Sequence, residues 1–334
     1  MTGTVKVGVV GAGAWGTALA QSLASDGSDV LIWVREPELV EEINTRHTNS
    51  LFLPGATLRD TIRATNDLSE LGSLSVLLVV VPAQFLSSVL GGLADEERDL
   101  VLCAKGIEAG TGRLMADVAA QAAPRARLAV LSGPTFAHEV AAGMPTAVTL
   151  ACSGGVEQWR RLSSLIARPA FRAYYSDDII GAEIGGAVKN VLAIACGVVE
   201  GLGLGQNARA ALIARGYAEM VRFGLARGAH RDTLSGLCGM GDLVLTCSST
   251  SSRNFSLGKA LGKGLSAAEA LAGKNSVAEG AATAPVLAQL AEDAGIDMPI
   301  VQGVRRLLAG EAPAAAIVDE FLARPLKAEQ ELDA

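Results

Sequence analysis

The chain has 334 residues, with 28 Lys and Arg against 35 Asp and Glu, so its formal net charge is −7. Hydrophobic residues make up 50% of the chain and aromatic residues only 4%. This apolar content excludes a disordered chain, and the acidic balance with few aromatic rings argues against a nucleic-acid partner. At the usual size of a domain, the length predicts two domains.

Cysteine and histidine usage narrows the class further. The five cysteines are scattered and include no CxxC pair, which indicates reduced thiols and a cytoplasmic location. The three histidines lack metal-ligand spacing, so we expect no metal site. The N-terminus has no signal-peptide pattern, and the most apolar run, Val76–Val81, is far shorter than the ~20 residues of a membrane span. We therefore expect a soluble protein without an integral membrane segment.

Short apolar runs alternate with helix-like patterns through the first half of the chain. The runs are Val5–Val10, Val30–Val34, Val76–Val81, Leu100–Ala104, Leu128–Leu131 and Ala147–Ala151. Continuous apolar strands separated by helices predict a largely parallel sheet covered on both faces. The sequence thus predicts an α/β Rossmann-type N-terminal domain over residues 1–178.

The second half of the chain has a different amino-acid composition. After Asp178 the chain is rich in Ala, Leu and Gly, and no strand pattern stands out. Helical periodicity is found in Asn207–Arg227, Ala267–Gly273 and Ala281–Ala294. Clusters of Gly, Ser and Asn at Gly201–Asn207 and Ser248–Asn254 predict loops between helices. We predict an all-α C-terminal domain over residues 179–334.

A glycine fingerprint follows the first predicted strand and opens a helix. In Gly11-Ala12-Gly13-Ala14-Trp15-Gly16, Gly11 permits a tight turn, Gly13 lets the backbone approach a pyrophosphate, and Gly16 allows close helix–strand packing. The helix N-terminus would add partial positive charge. This context predicts a dinucleotide site.

The end of the second strand bears on the choice of dinucleotide. An acidic residue there accepts hydrogen bonds from ribose hydroxyls, whereas a basic one binds a 2′-phosphate. This chain has both, Arg35 and Glu36, side by side. The sequence therefore leaves NAD and NADP open.

Seven further motifs follow the glycine fingerprint along the chain. They are Val81–Gln84, Ala104–Glu108, Leu131–Ala137, Gly186–Val191, Gly239–Leu243, Ser251–Asn254 and Val277–Gly280. In order and spacing, the chain resembles the bacterial-type NAD(P)-dependent glycerol-3-phosphate dehydrogenases. That family interconverts sn-glycerol 3-phosphate and dihydroxyacetone phosphate, mainly for glycerophospholipid synthesis.

The resemblance implies a role for individual residues. Lys189 matches the proton acceptor, and Lys105 and Asp242 complete the expected catalytic set. The other implied substrate-side residues are Gly133, Thr135, Ser252, Arg253 and Asn254. The implied cofactor positions, beside the three glycines, are Ala14, Trp15, Arg35, Glu36, Phe52, Lys105, Ala137, Arg253, Val277 and Glu279.

Three positions depart from the family pattern. Ala14 stands where the family usually has Ser, and Phe52 where it has Tyr, so each lacks a hydroxyl. Glu36 replaces neutral or basic residues and would repel a 2′-phosphate, which weakens the case for strict use of NADP.

The chemistry of the reaction explains why such residues are needed. Lys189 lies in a strongly apolar helical run, where burial would lower its pKa and suit it to act as a base. Its structural alternative is a lysine whose amine reaches water. Asp242 would orient Lys189 or a substrate hydroxyl, and its structural alternative is to cap a helix. Lys105 would polarise the ketone or hold the substrate, and its structural alternative is a charged residue of a surface loop.

The phosphate side offers similar alternatives. Thr135 is predicted at a helix N-terminus, which suits an anion. Ser252–Asn254 is either a flexible linker or a phosphate site in which Arg253 supplies a planar fork.

Two other functions remain open at this stage. Another two-domain hydroxyacid dehydrogenase would also carry the Lys189–Asn190 pair, and a non-catalytic dinucleotide sensor would share the fingerprint. The apolar residues of the helical domain would be buried either in a homodimer interface or only in the core of the domain itself.

Overall fold

The computed structural model describes residues 7–272 and 278–323. An eight-stranded sheet runs through the first half. Its strands are β1 Gly8–Val10, β2 Val30–Trp33, β3 Ile62–Thr65, β4 Val76–Val79, β5 Asp99–Leu102, β6 Arg127–Ser132, β7 Thr146–Cys152 and β8 Phe171–Ser176. The spatial order is β3-β2-β1-β4-β5-β6-β7-β8, and every pairing is parallel except β6 with β7. The prediction of a parallel-rich Rossmann-type sheet is confirmed.

Helices cover both faces of the sheet. They are α1 Ala14–Leu23, α2 Pro37–Arg46, α3 Leu86–Leu90, α4 Met115–Ala122, α5 Ala137–Ala141 and α6 Gly155–Ile166. Successive strand residues point to opposite faces, so Val9 and Leu78 join one buried apolar cluster while Val10 and Leu77 join another. This double coverage explains why the strands read as unbroken apolar runs.

The described part of the second half is helical. Its helices are α7 Ile179–Gly201, α8 Gly205–Ala226, α9 Arg231–Ser235, α10 Asp242–Thr246, α11 Arg253–Gly262, α12 Ala267–Leu271, α13 Glu279–Asp293, α14 Pro299–Leu308 and α15 Ala314–Leu322. A single π-helical turn, Leu237–Gly241, leads directly into α10. The helical character predicted for the C-terminal domain is confirmed.

Helix α7 is the central element of this half. All of its residues from Gly181 to Val199 are buried. It is the one described helix long and apolar enough to cross a membrane, but 89% of its most apolar window is buried inside the protein. The apolarity of α7 is therefore that of a core helix.

Glycines let α11 cross α7 with the two backbones in contact. A Cβ on Gly197 would lie 2.0 Å from the carbonyl oxygen of Phe255, and one on Gly258 would lie 1.9 Å from that of Ile194. The high glycine content of the chain thus has a packing role as well as a loop role. The close crossing brings the N-terminus of α11 next to the middle of α7.

The structure corrects several element boundaries. Strands β3 and β8 were not predicted, since the exposed Arg63 interrupts the apolar pattern of β3 and β8 has exposed residues at alternating positions. The predicted loop Ser248–Asn254 is shorter, because Arg253 and Asn254 already belong to α11, and the predicted loop Gly201–Asn207 narrows to three residues between α7 and α8.

Candidate active site

Lys189 lies in the middle of α7 and is almost entirely buried. Its side chain is 8% exposed, and its Nζ donates to Asp242 Oδ1 at 3.1 Å and to Thr246 Oγ1 at 2.9 Å. Burial lowers the pKa of Lys189 to about 8, assisted by the like charge of Lys105 and opposed by Asp242. The amine does not reach water as a snorkelling lysine would, and it is poised to exchange a proton near neutral pH.

Asp242 is the counter-ion that Lys189 shares with Lys105. It is fully buried, and its Oδ2 lies 2.7 Å from Lys105 Nζ. Burial by itself raises the pKa of Asp242, but the two lysines outweigh it and hold this pKa below its ordinary value. The carboxylate therefore stays ionised between two amines and does not cap α10, whose N-cap is Gly241.

Lys105 follows β5, at the carboxyl edge of the sheet, where ligands bind in such folds. Its Nζ also donates to the carbonyl oxygen of Gly133 at 3.0 Å, and its side chain is 13% exposed. An ammonium has three N–H groups, so one remains free beside these two partners.

The motif comparison did not single out Thr246. Its hydroxyl accepts from Lys189 and donates to Asp242 Oδ1 at 3.1 Å, closing a three-residue ring of hydrogen bonds. Thr246 lies four residues after Asp242, and residues at this spacing share one face of a helix. This spacing is the sequence signal that could have identified Thr246 as a neighbour of Asp242.

A chain of amide hydrogen bonds fixes the helices around the lysines. Asn190 Nδ2 donates to the carbonyl oxygen of Lys105 at 3.0 Å, and Asn254 Nδ2 donates to Asn190 Oδ1 at 2.9 Å. Asn254 Oδ1 then accepts from the backbone N–H of Gly280 at 3.0 Å. Both amide atoms of Asn254 thus have internal partners, so this side chain positions three helices relative to β5.

The neighbouring residues on α11 are placed differently. Ser252 is buried and caps α11, its Oγ accepting from Phe255 N at 3.2 Å. Arg253 is exposed and has no hydrogen bond or ion pair within the described part of the chain. It begins the helix, where free backbone N–H groups and partial positive charge favour an anion.

Two further predicted substrate residues flank Lys105 from the β6 side. Gly133 is buried, and a Cβ there would lie 2.9 Å from Val148 Cα, so the site admits only glycine. Thr135 Oγ1 donates to the carbonyl oxygen of Gly133 at 3.3 Å and lies two residues before α5.

The glycine turn has the features that a dinucleotide needs. Gly11 has φ of +110°, and a Cβ on Gly16 would lie 1.8 Å from the Gly11 carbonyl oxygen, whereas Gly13 faces open space. Helix α1 has no side-chain cap, and the indole Nε1 of Trp15 is buried without a partner. These unsatisfied donors fit a bound diphosphate.

The other predicted cofactor residues surround this turn. Ala14, Trp15, Phe52 and Ala137 all pack, half-buried, against the same core cluster. Glu279 accepts from the backbone N–H of Ala83 at 3.3 Å, which ties the start of α13 to the segment after β4. Val277 lies outside the described residues.

Arg35 and Glu36 follow β2 and form an ion pair with each other. Arg35 Nη2 lies 2.6 Å from Glu36 Oε1.

Among the described residues no group of three or more metal-ligating side chains is found. A cavity of about 670 Å³ lies elsewhere, beside Tyr174, Tyr175 and His230.

Family models match almost the whole chain. The N-terminal model of NAD-dependent glycerol-3-phosphate dehydrogenase matches residues 6–156, and the C-terminal model matches residues 178–319. Two curated relatives carry the name glycerol-3-phosphate dehydrogenase [NAD(P)+]. That of Erythrobacter litoralis (strain HTCC2594) is 69% identical over 99% of this chain and 100% of its own length. That of Novosphingobium aromaticivorans is 70% identical over 98% of this chain and 99% of its own.

A solved structure supports the same conclusion. Glycerol-3-phosphate dehydrogenase from Coxiella burnetii superposes with a TM-score of 0.91 at 39% identity, covering 96% of this chain and 99% of the other. The match of the C-terminal family model to residues 178–319 favours this family over other two-domain hydroxyacid dehydrogenases. The chain therefore belongs to the NAD-dependent glycerol-3-phosphate dehydrogenase family, a family of NAD(P)-dependent oxidoreductases.

Proposed function

We propose that this enzyme interconverts dihydroxyacetone phosphate and sn-glycerol 3-phosphate, with Lys189 as the proton acceptor in oxidation and the donor in reduction. The observation that carries this assignment is the setting of Lys189: a buried amine with two fixed partners and a pKa of about 8. When bound, the nicotinamide cofactor supplies or accepts the hydride. The protein must handle the accompanying proton.

The two partners leave the amine with one unused position. A neutral amine that donates to Asp242 and Thr246 directs its lone pair at a third group, where it can accept the proton of a substrate hydroxyl. A protonated amine has a third N–H in that position for a ketone oxygen. Lys105, bound to the opposite oxygen of Asp242, adds a second positive charge that stabilises developing negative charge on the substrate oxygen.

The phosphate of the substrate is assigned to the start of α11. Arg253 is exposed, and Ser252 keeps its hydroxyl proton available after accepting from Phe255. A guanidinium fork beside a helix N-terminus suits a phosphate dianion. Gly133 and Thr135, on the β6 side, and the second amide N–H of Asn254 are the remaining proposed substrate contacts.

The cofactor is assigned to the glycine turn and the end of β2. We place the diphosphate at the free N–H groups of α1 and the adenosine ribose near Arg35 and Glu36. Lys105, Arg253 and Glu279 are proposed on the nicotinamide side, since Glu279 contacts the segment after β4.

The decisive experiment measures loss of NADH or NADPH absorbance when dihydroxyacetone phosphate is added. We expect turnover by the wild type, and near-complete loss in Lys189→Ala with cofactor binding retained. Lys259→Ala, which removes a surface lysine paired with Glu200, is the matched control and should remain active. Normal turnover by Lys189→Ala would contradict the assignment, and a wild type that binds cofactor without turnover would indicate a dinucleotide sensor.

Several coarser properties remain proposals. We propose a division into a cofactor domain over residues 1–178 and a substrate domain over residues 179–334. A cytoplasmic location and the lack of a nucleic-acid partner rest on the reduced cysteines and the acidic charge. A homodimer is proposed from the apolar character of the helical half, and light scattering of the purified protein tests it.

A further inference from the structure

The end of β2 lies directly beside the glycine turn. Val10 of β1 pairs with Trp33 of β2, and the backbone N–H of Gly11 donates to the carbonyl oxygen of Trp33 at 3.1 Å. The two residues that follow Val34, Arg35 and Glu36, therefore stand where the adenosine ribose of a dinucleotide lies in this fold. The contacts that these two side chains make therefore determine whether the site accepts a 2′-hydroxyl or a 2′-phosphate.

Arg35 is already bound to its neighbour. Its Nε and Nη2 both donate to Glu36 Oε1, at 3.0 and 2.6 Å. The side chain of Arg35 is 72% exposed and that of Glu36 is 25% exposed, so the carboxylate is the more enclosed partner. Glu36 Oε2 has no hydrogen-bond partner in the described part of the chain and is left as an acceptor.

The local charges favour a neutral ligand group over an anionic one. Glu38, in the first turn of α2, adds a second negative charge to this end of the helix. A 2′-hydroxyl can donate to the free oxygen of Glu36 without disturbing the ion pair. A 2′-phosphate would have to displace Glu36 from Arg35 and then lie beside the displaced carboxylate.

The N-terminus of α2 offers little compensation to an anion. Glu36 is its N-cap residue, so a negative charge already stands at the positive end of the helix. The next residue, Pro37, has no backbone N–H, which removes one of the donors that a phosphate would use. Helix α2 is therefore poorly suited to bind a second anion.

We propose that Glu36 makes this enzyme select NADH over NADPH. It holds Arg35 in an ion pair and receives the ribose hydroxyls on its free oxygen. The inference rests on the proposed function only for the class of cofactor, because selection at this site needs no turnover.

The test is the dissociation constant of NADH and of NADPH, measured by isothermal titration calorimetry without substrate. We expect the wild type to bind NADH at least about tenfold more tightly. Glu36→Gln releases Arg35 and removes the repulsion, so it should tighten NADPH by about tenfold or more and weaken NADH only a few-fold. Arg35→Ala in the Glu36→Gln background should abolish that gain. Glu38→Gln, with the same charge change on the same helix, is the control and should shift the preference by less than about threefold.

Two results would overturn the proposal: a wild type that binds NADPH as tightly as NADH, or a preference unchanged in Glu36→Gln. Failure of the proposed function is distinguishable from either. A protein that prefers NADH but does not reduce dihydroxyacetone phosphate contradicts the function alone, whereas equal turnover with both cofactors and equal affinities contradicts the selection alone.

Discussion

Lys105 and Lys189 come from opposite halves of the chain and bind the two oxygens of one buried carboxylate, that of Asp242, at 2.7 and 3.1 Å. Lys105 lowers the pKa of Lys189 by direct repulsion, and the shared carboxylate raises it. The buried centre holds two amines and one carboxylate, so an anionic ligand completes its neutralisation.

The two reaction directions should have opposite pH dependence. Because burial lowers the pKa of Lys189 to about 8, the neutral amine that accepts the hydroxyl proton of glycerol 3-phosphate during oxidation accumulates as pH rises through that value. The ammonium form that protonates the ketone is lost over the same range. We expect kcat/KM for oxidation to rise and kcat/KM for reduction to fall with pH, each with an inflection near 8, because kcat/KM reports the pKa of the enzyme without substrate. Profiles with the same slope in both directions would contradict the role of Lys189.

Asp242→Asn should shift that inflection to lower pH. The carboxylate raises the pKa of Lys189 and Lys105 lowers it, so removing the anion leaves the amine next to an uncompensated positive charge. We expect kcat to fall by at least tenfold, about 1.4 kcal/mol in the barrier. The exposed acid Asp232 provides the control variant Asp232→Asn, and an unshifted inflection in Asp242→Asn would count against the coupling.

Thr246→Val should reduce turnover without a large loss of stability. Valine keeps the shape of threonine and removes the hydroxyl that accepts from Lys189, so the amine loses one of the contacts that orient it. We expect kcat to fall about tenfold or more with KM little changed. Thr246→Ser restores the hydroxyl and should recover most of the activity; a serine variant as slow as the valine variant would point to packing instead.

Arg253→Ala should raise the KM for dihydroxyacetone phosphate by at least about tenfold, a loss of about 1.4 kcal/mol. The reason is the loss of a guanidinium fork that has no other partner among the described residues. Arg227→Ala removes an exposed arginine elsewhere in the helical half and should leave KM unchanged. Steady-state kinetics at saturating NADH distinguish the two, and unchanged kcat and KM in Arg253→Ala would exclude a phosphate role.

Glu183→Gln should stabilise the protein more at pH 8 than at pH 5. Glu183, on α7, accepts from Ala116 N of α4 at 2.7 Å, and its other oxygen is buried without a partner. Burial raises its pKa to about 8. Between about pH 4.5 and 8 the unfolded chain releases this proton and the native protein keeps it, so the contribution to stability falls as pH rises.

Glutamine removes this pH dependence, so the difference in Tm between Glu183→Gln and the wild type should grow from pH 5 to pH 8. Thermal unfolding followed by circular dichroism checks it. The exposed residue Glu157 gives the control variant Glu157→Gln, whose Tm difference should be flat with pH. A flat difference for Glu183→Gln as well would show that Glu183 ionises freely in the native state.

Strong local patterns made the nucleotide-binding half predictable. An apolar strand, a glycine turn and a helix start form one continuous signal, and the structure places them as β1, the turn at Gly11 and α1. Strand β8 lacked such a signal because, at the edge of the sheet, half of its side chains face solvent. The antiparallel pairing of β6 with β7 depends on how distant segments pack, which periodicity does not report.

Some features of the candidate site were likewise predictable from the sequence, and others were not. The burial and lowered pKa of Lys189 follow from the apolar run around it, and the structure agrees with that expectation. The internal use of Asn254 was not foreseeable, because it depends on the glycine-mediated crossing of α11 over α7. Nor does the sequence reveal that Arg35 and Glu36 bind each other, since adjacent side chains need not meet.

The hydrogen bond from Asn190 to the carbonyl oxygen of Lys105 has a consequence for how such enzymes diversify. It joins the backbone of one half to a side chain of the other, next to the lysine whose amine binds Asp242. A different helical partner grafted onto this cofactor-binding half would therefore have to supply a matching amide and a matching carboxylate at once. Exchange of the helical half alone would break both contacts.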